Sequence, residues 1–352
     1  MGNFILKDAR HILVRVPNWI GDAVLCEPAV RTIRGNFPDA NITILAKPWV
    51  APIFLNNPSV DECIEYDSNG LHKGIFGRIR LIKMLRKKRY DLAILFQNAF
   101  DATFLAFMAG IPETWGYSTD VRGFLLTKSV RVKDEIKKCH QIFYYMNLLE
   151  EIGLKVDRDL KPQIYVSDEE SRRAQRFLEE NGLNFDKIII GINPGASYGM
   201  AKRWFPERFA NIANRMIDEH AAQVIIFGSN GDDDICKEVF QKLKTNAINL
   251  CARTNLRELI SIIKKCSLFI TNDSGPMHIS ASLGVPTAAI FGSTDPALTS
   301  PIGDKVCVVK KDIECSPCFE RECRYGHYRC MEMVSVEDVY NASVKFLNPN
   351  AK

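Results

Sequence analysis

Two glycine signatures are missing from this chain. No Gly-x-Gly-x-x-Gly follows a strand-like segment, and no Gly-Lys-Ser or Gly-Lys-Thr occurs anywhere in the 352 residues. Dinucleotide and P-loop phosphate sites therefore lack their usual backbone cradles. Long apolar runs are missing too, since none reaches the roughly 18 residues of a membrane span. The first residues, Met1 to Asp8, lack the layout of a signal peptide, which predicts a chain that stays in the cytoplasm. Eleven cysteines are an odd number, better suited to free thiols in a reducing compartment than to a disulfide framework. Acid is absent from Lys73 to Arg89, which holds Lys73, Arg78, Arg80, Lys83, Arg86, Lys87, Lys88 and Arg89. Without that strip the net charge of +4 would change sign.

What is present alternates. Ile12 to Val16, a helix reaching Arg34, Ile42 to Ala46, the basic strip and Leu92 to Phe96 follow one another as strand and helix. That rhythm predicts a parallel sheet wrapped by helices. Apolar Ile75, Phe76, Ile79, Ile82 and Leu85 recur at helical spacing inside the strip, which describes a basic amphipathic helix. It suits either a solvated face or attraction to anionic lipid headgroups or a phosphorylated acceptor. No recognised nucleic-acid module accompanies it. After a helix over Gln141 to Ile152, a polar stretch and a short strand at Gln163 to Val166, the pattern restarts at Lys187 to Ile192. Two α/β domains are expected, residues 1–160 and 161–334, facing a cleft that holds the ligand.

Chemistry-bearing residues gather at strand ends, where open α/β sheets place their sites. Pro17-Asn18-Trp-Ile-Gly21-Asp22 follows the first strand. There Asp22 can accept a proton or cap the next helix. Asn193-Pro-Gly-Ala-Ser197 runs on to Lys202-Arg203-Trp204, offering a hydroxyl and cations to a leaving phosphate. Asn272-Asp273-Ser274-Gly275-Pro276 opens another helix, with His278 one turn inside. Its positive pole suits a diphosphate, although the same residues also make an ordinary helix start. Asp232, in Gly228-Ser-Asn-Gly-Asp, can hydrogen-bond a ribose or hold a cation, and helix capping explains most of that loop. Cys315, Cys318, Cys323 and Cys330 stand close to His327. Their leading C-x-x-C fits a zinc knuckle, but the later spacings do not match a common four-ligand finger, and buried, inert thiols are the better expectation.

Together, Asn18-Trp-Ile-Gly-Asp22, Asn193-Pro-Gly-Ala-Ser197 with Ala201-Lys-Arg-Trp204, Asn272-Asp-Ser-Gly275 with Met277-His278, Ala109-Gly-Ile-Pro112, Gly116-Tyr117 and the Cys-rich tail resemble glycosyltransferase family 9, the ADP-heptose:lipopolysaccharide heptosyltransferases. The resemblance spans nearly the whole chain. It implies a GT-B fold of two Rossmann-like, doubly wound domains, with a last helix within 335–352 packing back on the amino-terminal domain. It also implies inverting transfer of L-glycero-D-manno-heptose from ADP-heptose to the first heptose of the lipopolysaccharide inner core, with no cofactor or metal required. At matching positions Asp22 is the general base and Lys202 stabilises the departing ADP, helped by Ser197, Ser274, Gly275 and His278. Asp273 fixes the helix start, Asp232 is a weaker ribose candidate, and Asn18 and Arg122 face the acceptor. Partners would be ADP-heptose, the lipopolysaccharide core and the cytoplasmic face of the inner membrane, with no nucleic acid. A relative using another sugar, one making the first heptosyl linkage, or a catalytically silent sugar-nucleotide binder remain the competing expectations.

Overall fold

A computed structural model describes residues 9–244 and 247–347. Residues 1–8, on which the leader expectation rests, and 348–352 lie outside the described residues. The chain divides into two compact units, residues 1–165 and 166–352.

The first unit runs β1 (His11–Arg15), α1 (Ile20–Asn36), β2 (Asn41–Ala46), β3 (Glu62–Glu65), α2 (Gly74–Lys88), β4 (Leu92–Leu95), α3 (Phe100–Met108), β5 (Glu113–Tyr117), β6 (Lys128–Val130), α4 (Asp134–Lys137) and α5 (Gln141–Glu151). Its six strands pair in the order β3-β2-β1-β4-β5-β6, and every pairing is parallel, with Ile12 level with both Ile42 and Leu92. Because helices cover both faces, the central strands are buried past their first residues rather than alternating. Leu13, Leu45 and Leu95 face a core shared with Leu81 and Leu85 of α2 and Leu105 of α3. On the other side α1 packs against α5. Strand order reverses between β1 and β4, which makes the carboxyl end of β1 the switch point of the sheet.

The second unit runs α6 (Asp168–Glu180), β7 (Ile189–Asn193), α7 (Pro206–His220), β8 (Gln223–Ile226), α8 (Asp233–Gln241), β9 (Ala247–Asn249), α9 (Leu256–Ile263), β10 (Leu268–Asn272), α10 (Gly275–Ser282), β11 (Thr287–Ile290), α11 (Pro296–Thr299), β12 (Val306–Val309), α12 (Arg329–Glu332) and α13 (Val336–Val344). Its strands order as β12-β11-β10-β7-β8-β9, again all parallel. The reversal here falls between β7 and β10, whose following loops carry Lys202 and Asp273.

Two expectations change. The division falls after Tyr165 rather than after residue 160. No strand forms at Gln163 to Val166, because the Gln163 N–H donates to the buried Glu27 carboxylate at 2.9 Å instead of to a ladder. Within the second unit α13 lies against α7, β11 and β12. Val339 and Tyr340 join that core. The Tyr340 hydroxyl donates to Glu219 at 2.5 Å, and the Arg215 guanidinium sits 3.5 Å from its ring centre.

Candidate active site

In the first unit, β1 delivers the chain to Asn18 and Trp19, and α1 begins at Ile20 with Asp22 in its first turn. A carboxylate there sits at the positive pole of a 17-residue helix, an electrostatically favourable position. Asp22 is half-buried, and the Tyr145 hydroxyl donates to its Oδ1 at 3.0 Å. Tyr145 in turn accepts from Gln141 at 3.1 Å and packs edge-on against Phe96. Burial, and then the Asp22 charge, push the Tyr145 hydroxyl well above its ordinary pKa, so it stays a proton donor to the carboxylate.

The turn ahead of Asp22 is braced from two sides. Arg15 donates to the Asn18 side chain at 2.6 Å, and the Trp49 indole donates to the Asn18 carbonyl at 2.8 Å. Burial pulls the Arg15 guanidinium down to about 10, against the nearby Asp101 charge. Trp19 and Trp49 leave broad aromatic surface exposed beside Asn18.

In the second unit, two strand-end asparagines stitch neighbouring loops together. Asn193 donates to the Ser274 hydroxyl at 3.2 Å, while Asn272 donates to the Pro194 carbonyl at 2.7 Å and accepts from the Trp204 N–H at 3.0 Å. This fixes the 3-10 turn Met200–Lys202 against the start of α10. The Lys202 ammonium pairs with Asp273 at 2.5 Å, and Thr294 donates to the same carboxylate at 2.6 Å. Asp273 thus anchors the lysine rather than capping the helix. Ser274 occupies the N-cap without a side-chain cap bond, and Pro276 adds no N–H. His278 is buried in the first turns of α10, and Ser197 is exposed on the crown of the β7 loop.

Asp232 lies beneath that loop. Its carboxylate accepts from Arg203 at 2.9 Å and from the Ser229 hydroxyl at 2.6 Å, and it is buried. A Cβ on Gly195 would stand 2.2 Å from the carboxylate carbon, so only glycine lets this brace close. The sequence points Asp232 at a ribose, whereas the structure gives its carboxylate to the support of the Lys202 loop.

Arg122 differs more sharply. Its side chain is fully buried, and it donates to the carbonyls of Tyr117 at 2.9 Å and of Gln97, and to the Asn98 side chain at 3.3 Å. Burial brings it down to about 10. It braces the loops after β4 and β5 instead of facing an acceptor. The cysteines are all free thiols, and Cys315, Cys318, Cys323 and Cys330 line one small cavity with His327. Among the described residues no three His, Cys, Asp or Glu side chains are set to hold a metal ion. Burial raises the Cys330 thiol. At Cys323 the upward push of slight burial is outweighed by the N–H groups of Tyr328, Tyr325, His327 and Gly326, which pull the thiol down. The Cys-rich segment also holds the Lys202 turn, since the Ala201 N–H donates to the Arg321 carbonyl at 2.9 Å.

Sequence reasoning misses Tyr145, Arg15 and Trp49. Tyr145 lies 123 residues from Asp22, and no local pattern marks that pairing. A basic residue closing a buried strand was the available signal for Arg15.

Residues 78–329 match glycosyltransferase family 9, described as heptosyltransferase. The lipopolysaccharide heptosyltransferase 2 of Escherichia coli is 34% identical over 310 residues, covering 85% of this chain and 87% of that protein. The lipooligosaccharide heptosyltransferase 2 of Campylobacter jejuni is 31% identical, covering 96% and 98%. Among solved structures, a family 9 glycosyltransferase from Veillonella parvula superposes with a TM-score of 0.88 at 27% identity, covering 97% and 98% of the two chains. The E. coli ADP-heptose lps heptosyltransferase II superposes with a TM-score of 0.81 at 29% identity, covering 97% and 100%.

Proposed function

The chain belongs to glycosyltransferase family 9, and from that premise we propose that it moves L-glycero-D-manno-heptose from ADP-heptose to the first heptose of the lipopolysaccharide inner core, with inversion. Two relatives that match over most of its length are heptosyltransferases 2. The observation that carries the chemistry is Lys202, held at 2.5 Å from Asp273 beside the positive pole of α10, at the switch point where an open α/β sheet binds ligands.

In this reaction Asp22 takes the proton from an acceptor hydroxyl, whose oxygen attacks the anomeric carbon of the donor. The bond from that carbon to the diphosphate oxygen breaks, and ADP leaves with the electron pair. One displacement inverts the anomeric centre and needs no enzyme nucleophile. Tyr145 keeps the Asp22 carboxylate aimed. Lys202 and the start of α10, from Ser274 and Gly275 to His278, meet the charge that grows on the leaving diphosphate. Ser197 adds a hydroxyl, and Asn18 lies on the acceptor side. Positive charge from these groups takes the place of a metal cofactor. The natural working place is the cytoplasmic face of the inner membrane, where a lipid-anchored acceptor is presented.

Mixing the chain with ADP-heptose, with and without core oligosaccharide bearing a single heptose, tests this. Acceptor-dependent ADP release with a gain of one heptose in mass is expected. Donor binding without release, with every acceptor tried, would leave a silent binder instead.

A further inference from the structure

Helix α2 is already packed on its inner side, where Gly77, Leu81, Ile82 and Leu85 are buried. A Cβ on Gly77 would stand 2.4 Å from the His72 backbone, so the start of the helix is pressed onto the loop before it. The large apolar residues left on the outside have no core to fill. Phe76 is 83% exposed, Ile75 69%, Leu71 56% and Ile79 40%.

The spacing of the outer face is informative. Phe76, Arg80, Lys83 and Lys87 stand four, seven and eleven residues apart, which places the phenyl ring in line with three bases on one side of the helix. Arg78 pairs with Asp101 and Lys88 with Glu62. Lys73, Arg80, Lys83 and Lys87 have no carboxylate partner among the described residues. The exposed apolar residues occupy the loop before α2 and its first half. In a parallel α/β unit that end of a crossover helix lies with the carboxyl ends of the strands, the edge from which Asp22 emerges.

We propose that the outer face of α2 docks on an anionic lipid bilayer, with Phe76 and Ile75 entering the headgroup region and the unpaired bases lying over the phosphates. Charge complementarity selects a polyanionic surface. The apolar side chains select a bilayer over a soluble phosphate or nucleic acid, because only an interface rewards bases and apolar groups on the same helix face. The choice also rests on the lipid-anchored acceptor of the proposed function, which such docking would bring to the Asp22 edge.

Co-sedimentation of the full chain with phosphatidylcholine vesicles, with and without phosphatidylglycerol as roughly a third of the lipid, tests the docking. No donor or acceptor is present, so a chain that binds vesicles but transfers no heptose would fail the functional reading and not this one. Binding is expected only with phosphatidylglycerol. At roughly fivefold per base, Lys83→Gln/Lys87→Gln should weaken it by more than about tenfold, and Ile75→Ser/Phe76→Ser should weaken it by a similar factor. Because these side chains are exposed, transfer to a detergent-dispersed acceptor should be unchanged in both variants. Equal binding to both vesicle types, no binding to either, or parental binding by both variants would overturn the proposal. So would displacement by inorganic phosphate with Ile75→Ser/Phe76→Ser behaving as the parent, which would make the face a soluble-phosphate site.

Discussion

Lys202 and Asp273 hold each other in place, and the two roles of that pair can be separated. Removing the ammonium in Lys202→Met leaves a nearly buried carboxylate without its cation, which should lower stability by about 3 kcal/mol. It should also cut turnover about 100-fold or more by removing charge stabilisation at the diphosphate. In Lys202→Met/Asp273→Asn, melting should recover most of the lost stability while turnover stays low. Recovery of both would show that the lysine only supports the fold. Arg122→Met should behave in the opposite way, unfolding about 3 kcal/mol earlier as several carbonyls lose their donor, with acceptor KM unchanged in the folded fraction. The strand-end positions of Asp22 and Lys202 were legible because each follows an apolar strand in a loop of small residues. Arg122 was misread because the sequence shows its charge but not the carbonyls folded around it. Tyr145 was invisible for the same reason, since its partner comes from the far end of the unit.

Between elements, α6 and α9 are joined by Glu170 and Arg257, with nitrogen and oxygen 2.6 Å apart. Partial burial pushes the Glu170 carboxyl up, but the Arg257 guanidinium and the Ser167 N–H outweigh it and hold the group at about 2, below the usual 4.5. Since the folded value lies below the unfolded one, the stabilisation is complete above about pH 4.5 and drains away as the pH falls toward 2. Urea midpoints should therefore fall below pH 4.5, and Glu170→Gln should make that fall shallower while lowering stability at neutral pH. A steeper acid loss in the variant would contradict the assignment. Helix and strand periods were largely readable here, including α2 almost to the residue. Its end at Arg89, which turns left-handed at φ 52° and bonds back to Arg86, follows a run of three bases with no glycine to mark the stop. The segment Gln163 to Val166 had the right composition but pairs with no strand, and Glu27 takes the Gln163 N–H.

At the scale of the whole molecule, each unit has its own parallel sheet and its own core. All the groups assigned to the diphosphate belong to the second. Residues 166–352 expressed alone should therefore fold and bind ADP within about tenfold of the full chain, as titration calorimetry would show, yet transfer nothing. The alternation of strands and helices made the two-sheet architecture legible. The division of labour has its sharpest test in Asp22→Asn, with turnover on a one-heptose acceptor measured alongside the affinity for ADP-heptose. Loss of the base should lower turnover by about 100-fold or more while the donor binds as before. Turnover within about twofold of the parent would show that this carboxylate does not take the acceptor proton.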